Sequence, residues 1–92
     1  MARLKDKVVL ITGALGGQGQ VAVARFVAEG ASVLASDLAA KPNGDVAALA
    51  KSKPERCAYV GGDVRDGKLI DKLVKTAVKR FGRLDVLYNN HG

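Results

Sequence analysis

Four apolar residues, Val8-Val9-Leu10-Ile11, run directly into Thr12-Gly13-Ala14-Leu15-Gly16-Gly17-Gln18-Gly19, and this junction limits the folds open to the chain more than any other feature. A short continuous apolar run is the pattern of a parallel strand buried on both faces. The glycines after it allow a tight turn, followed by a helix whose N-terminal N–H groups and positive dipole end face that turn. Phosphate is well held at such a place, provided that no side chains block its approach to the backbone. Gly13, Gly17 and Gly19 give the spacing Gly-x-x-x-Gly-x-Gly, with Gly16 adding room and Gln18 between the last two. A glycine cluster also serves ordinary turns; the strand before this one and the helix after it make it a candidate nucleotide site.

The rest of the chain keeps the alternation. Residues 7–12 are expected as the first strand and residues 18–29 as a helix stopped by Gly30. Residues 31–37 read as a second strand. Lys41-Pro42-Asn43-Gly44 is turn chemistry, and a short helix over 45–51 follows. A third strand is expected over 56–63. Asp66 is placed to cap a helix over 67–81 that Gly82 ends, and 84–89 read as a fourth strand. Alternation of this kind predicts an α/β fold built of right-handed βαβ units. The specific expectation is a Rossmann-type three-layer unit with a four-stranded parallel sheet in the order 3-2-1-4, forming one domain over 1–92.

Composition narrows the setting. A chain of 92 residues makes one domain at most, and at this size it buries only about 60–65% of its unfolded surface. The single Cys57 cannot form an intramolecular disulfide, no Cys/His spacing suggests a metal, and a reducing, cytoplasmic setting is expected. There is no room for a signal peptide before the first strand, and no apolar run approaches the roughly 18–20 residues of a membrane span. The net charge of +6 invites comparison with nucleic-acid binders. Lys68, Lys72, Lys75 and Lys79 share one helix face, opposite Leu69, Ile70, Leu73, Val74, Ala77 and Phe81. That stripe reads first as a solvated helix face. A phosphate-tracking surface is the alternative, disfavoured because none of the four aromatics is interleaved with it.

Asp37 sharpens the nucleotide reading. It falls at the end of the second strand, 18 residues after Gly19, where a carboxylate accepts hydrogen bonds from an adenosine ribose. A 2′-phosphate would meet a like charge there, and neither Gly16 nor Leu38 supplies a compensating cation. NAD is therefore expected in preference to NADP.

Taken together, Thr12-Gly13-x-x-x-Gly17-x-Gly19, Asp37, the pair Asp63-Val64, and Gly82-Arg83-Leu84-Asp85-Val86-Leu87-Tyr88-Asn89-Asn90-His91-Gly92 resemble the short-chain dehydrogenase/reductase family over residues 5–92. The resemblance implies that Asp63 and Val64 bind the adenine ring and that Thr12 braces the glycine turn. It also implies that Asn89, Asn90 and their neighbours His91 and Gly92 hold the central sheet and line the adenosine side of the cofactor. His91 stands where the family usually has Ala, and Tyr88 replaces a small aliphatic residue and is expected to pack. The activity implied is hydride transfer between a nicotinamide and an alcohol or carbonyl. The family's catalytic Ser, Tyr and Lys lie beyond the Asn-Asn-x-Gly motif. Tyr59 and Tyr88 carry Asp63 and Gly92, not Lys, four residues on. No catalytic residue is expected within these 92 residues, which resemble a cofactor-binding N-terminal fragment of the full doubly wound fold. An open fourth-strand edge follows. It is expected to self-associate or to take a C-terminal half, and the alternative function is a non-catalytic nucleotide-binding or self-assembling module.

Overall fold

The computed structural model describes residues 4–90. The first apolar run becomes β1 (Val8–Thr12), buried at all five positions. It is followed in order by α1 (Gly17–Ala28), β2 (Ser32–Asp37), α2 (Gly44–Ser52), β3 (Cys57–Gly61), α3 (Gly67–Phe81) and β4 (Val86–Asn89). The four strands form one parallel sheet in the order β3-β2-β1-β4. Fold class and strand order are as expected from the alternation.

Alternate residues of each strand point to opposite faces, and the core is accordingly double. On one face Val9, Ile11, Val33, Ala35 and Cys57 pack against Val23 and Val27 of α1 and Val46 of α2. On the other, Val8, Leu10, Leu34 and Ala58 meet Leu69, Leu73 and Ala77 of α3. The lysines at 68, 72, 75 and 79 all lie on the exposed side of α3. Asp66 caps that helix by accepting a 3.0 Å hydrogen bond from the Lys68 amide, and Gly82 ends it in a left-handed conformation (φ 86°).

All four strands are shorter than expected, β1 and β2 by one residue and β3 and β4 by more, for reasons of pairing. β3 stops at Gly61 because its partner β2 runs out at Asp37. The Gly62 amide still donates to the Asp37 carbonyl, after which the chain turns through Asp63–Asp66. β4 begins at Val86 because the rung before it is made by a side chain. The Asp85 amide donates to the Val8 carbonyl at 2.9 Å, while the Val8 amide donates to the Asp85 carboxylate at 2.8 Å.

Three long-range polar ties escape a reading of the sequence. Gln20, on α1, caps α2: its Oε1 accepts from the Val46 amide at 2.8 Å, and its Nε2 donates to the Asn43 carbonyl and side chain. Asn43, at the cap position itself, makes no side-chain cap bond. Arg56 donates to the Val27 and Ala31 carbonyls and so ties β3 to the end of α1. The Tyr59 hydroxyl donates to the Ala39 carbonyl at 2.6 Å, holding the segment after β2 against β3.

Candidate cofactor-binding site

The glycines of the first turn divide by what their missing side chains make possible. Gly13 has φ 67°, and a Cβ there would lie 2.0 Å from the Asn90 carbonyl oxygen. A Cβ on Gly19 would lie 2.3 Å from the Gly13 carbonyl oxygen. These two glycines let the turn close on β4 and let α1 close on the turn. Gly17 is different. A Cβ there meets nothing within 4 Å, so the fold itself imposes no need for glycine at that position. Gly17 opens α1, whose cap residue Gly16 makes no side-chain cap bond and whose first turn carries no acid. The result is an open, positively polarised helix end with bare backbone around it, which is the chemistry of a phosphate cradle. Gln18 is exposed beside it.

Asp37 lies at the adjacent strand end. Its Oδ2 accepts from the Leu15 amide at 2.9 Å and its Oδ1 from the Leu38 amide at 2.7 Å. Each oxygen keeps a further lone pair, so the carboxylate is oriented by the turn and still able to accept from a ligand hydroxyl. It lines a cavity of about 320 Å³ together with Gly13, Leu38, Gly62, Asp63, Val64 and Arg65. That size is at the lower end of the about 300–1,000 Å³ usual for ligand sites. Leu38 is 67% exposed and offers an apolar wall. The cavity thus joins a carboxylate with free acceptor positions at Asp37 to apolar surface at Leu38 and Val64.

Asn89 and Asn90 sit where β4 meets the turn. The Thr12 hydroxyl donates to Asn89 Oδ1 at 2.7 Å, and Asn90 Nδ2 donates to the Gly13 carbonyl at 3.3 Å. Both side chains therefore tie β4 to β1 and the glycine turn. His91 and Gly92 lie outside the described residues. Tyr88 packs edge-on against Phe26, with ring centroids 5.8 Å apart.

Arg65 carries only a local signal in the sequence: an Arg two residues after an Asp in a turn is well placed to fold back on it. It grips the Asp63 carboxylate with Nε and Nη2. These side-chain bonds, then the Arg65 amide, hold the Asp63 carboxyl down at about 2. Burial pushes the Tyr59 phenol up, and the nearby Asp37 charge adds to the effect. Burial likewise pushes the Cys57 thiol up to about 11, against the pull of Arg80, so this free cysteine is an inert core residue. Among the described residues, no cluster of His, Cys, Asp and Glu could hold a metal.

A three-layer parallel sheet with a glycine turn at the end of its first strand and an acid at the end of its second defines a dinucleotide-binding type of protein. Its family is clear from comparison. A family model described as "short chain dehydrogenase" matches residues 7–92, and the chain belongs to that family. It is 43% identical over 91 residues to meso-2,3-butanediol dehydrogenase of Serratia marcescens, covering 98% of this chain and 35% of that protein. It is 42% identical over 88 residues to an uncharacterized oxidoreductase of Thermotoga maritima, covering 96% of this chain and 34% of that one. The crystal structure of a short-chain dehydrogenase of the glucose/ribitol dehydrogenase type from Brucella melitensis superposes with a TM-score of 0.80 at 33% identity. That match covers 91% of this chain and 35% of the other. The chain thus spans about a third of the length of the relatives it matches. It shares with them an oxidoreductase family whose members use nicotinamide cofactors.

Proposed function

We propose that this chain is the cofactor-binding portion of an NAD-dependent short-chain dehydrogenase/reductase acting on an alcohol or carbonyl substrate. The observation that carries the proposal is the bare space at Gly17. A glycine that nothing in the fold requires opens an uncapped helix, and Gly13 of the turn before it lines a cavity with Asp37 and Asp63. Backbone amides at the start of α1 hold the pyrophosphate, Asp37 accepts from the adenosine ribose, and Leu38 and Val64 flank the base near Asp63. A bound nicotinamide gives or takes the hydride; the residues here bind and orient it. The carboxylate at Asp37 favours NAD over NADP. No catalytic residue is assigned to this chain, since neither Tyr59 nor Tyr88 has a Lys four residues on. A reducing, cytoplasmic compartment accords with a buried free thiol at Cys57. The basic face of α3 serves solvation and not nucleic acid. Among the described residues, no helix is long and apolar enough to cross a membrane.

Calorimetric titration with NAD, and with NADP as control, tests the proposal. Saturable binding that favours NAD is expected, with Asp37→Ala reducing that preference. Gly17→Val should abolish binding without loss of thermal stability, because its Cβ has room and Val is the better helix former. A folded chain that binds neither nucleotide refutes the proposal.

A second reading is favoured by the β4 edge, where Val86, Leu87 and Tyr88 are 41%, 53% and 39% exposed. We propose that this edge takes up either a second copy of the chain or a C-terminal half in trans, as unpaired strand edges do. Light scattering across micromolar concentrations decides for the isolated chain: a mass that rises with concentration supports pairing of copies, and a constant monomer mass refutes it.

A further inference from the structure

We propose that Arg65 sets the base selectivity of the site by competing with the purine for Asp63. The inference rests on the dinucleotide reading above and adds to it a residue with a defined part in ligand choice.

An ionised carboxylate offers about four acceptor positions. Arg65 alone engages both Asp63 oxygens through three N–H groups, the single Nε proton being shared between them. Oδ1 accepts from the Arg65 backbone amide at 2.9 Å and from Nε at 3.0 Å; Oδ2 accepts from Nε at 3.1 Å and from Nη2 at 2.7 Å. The exocyclic amine of a 6-amino purine must compete with the guanidinium for Asp63. Letting go is easy, because the pair is exposed (85% at Arg65, 38% at Asp63) and exposed ion pairs are weak. Arg65 lines the same cavity as Asp37, Leu38 and Val64, so its side chain remains within reach of a ligand there after release. It is then a free donor at the mouth of a base site. A 6-oxo purine, which carries an acceptor where adenine carries a donor, has a partner in Arg65 and has no need of Asp63. Acceptor and donor held face to face thus accommodate both kinds of purine, at the expense of preference for either.

The test compares Arg65→Met, which keeps much of the stem and removes every donor, with the unaltered chain. Each is titrated with NAD and with its 6-oxo analogue, nicotinamide hypoxanthine dinucleotide. Freed from its competitor, Asp63 should bind NAD about fivefold more tightly, the upper end for release of an exposed pair. The 6-oxo analogue should lose affinity, widening the ratio between the two ligands by roughly tenfold, the scale of one charged hydrogen bond. Unchanged NAD affinity, weaker NAD binding, or equal tightening of both ligands overturns the proposal while leaving the dinucleotide site standing. Absence of NAD binding to the unaltered chain overturns the dinucleotide reading, and this proposal with it. A ligand-free measurement closes the remaining gap. By carbon-detected NMR, the Asp63 carboxyl should titrate near 2 in the unaltered chain and move up toward the ordinary carboxylate range in Arg65→Met. Identical titration in both chains shows that the pair does not hold in solution and refutes the proposal.

Discussion

β1 and β4 are neighbours in one sheet and are paired residue for residue, yet all of β1 is buried and all of β4 is exposed. The contrast is sharpest at one rung, where Leu10 is 0% exposed and its partner Leu87 is 53% exposed. Pairing to a neighbour satisfies one edge of a strand; only layers above and below it bury the side chains. β1 has α1 over one face and α3 over the other, with β2 on its far edge. β4 has β1 and little else, although Val-Leu-Tyr is a composition suited to the interior.

The largest test of this difference deletes the same atoms from both members of the rung. Leu10→Ala should cost about 2–5 kcal/mol, as expected for a fully buried leucine, and Leu87→Ala about 0.5 kcal/mol, as at a surface position. Urea denaturation at low micromolar concentration measures both. Comparable costs would show that β4 is covered in solution, and a Leu87→Ala penalty that grows with protein concentration would identify the cover as another copy.

A smaller effect comes from the rung made by a side chain. The Val8 amide holds the Asp85 carboxyl below the usual carboxylate range, with Arg83 adding to the pull against desolvation. A carboxyl lowered on folding contributes stability that is present above its unfolded value, about 3.9, and is lost as pH falls through its lower folded value. Below about pH 4 the chain should therefore lose stability more steeply than Asp85→Asn does. Parallel acid-unfolding curves for the two chains would show that Asp85 does not anchor β4.

The smallest effect belongs to the closed part of the sheet. Ser36 is fully buried, and its hydroxyl has no hydrogen-bond partner among the described residues. Ser36→Ala removes the stranded group with little change of shape and should stabilise by up to about 1 kcal/mol, read as a rise in thermal midpoint. A loss of stability would mean that a water satisfies the hydroxyl and that this part of the core is wetter than its packing indicates.

The elements legible in the sequence are those whose signal is local. Val8–Ile11 announces a two-faced strand, Asp66 and Gly82 bracket α3, and glycines between an apolar run and a helix mark the first turn. Asp37 could be placed because a strand end has a definite position relative to the first turn. The strand limits at Gly61 and Val86 were not legible, since they depend on where a partner strand stops and on a carboxylate replacing a backbone rung. Gln20, Arg56 and Tyr59 were equally silent. A Gln in the first turns of a helix is ordinary until the fold brings Val46 and Asn43 to it. Arg65 belongs to an intermediate class: its pairing with Asp63 is local, but its significance comes from a cavity assembled by three separate segments.

The contact between Gly13 and the end of β4 has a consequence for timing. The bonds from Thr12 to Asn89 and from Asn90 to Gly13 each join residues 77 apart in a chain of 92. Contacts of such long range close late and slowly, because the loop entropy is lost before the contacts repay it. During synthesis the glycine turn emerges early but gains these two bonds only once residues 89 and 90 have followed it out of the ribosome. A chain cut before residue 89 should carry Gly13, Gly16, Gly17 and Gly19 and still lack the two bonds that fix the turn.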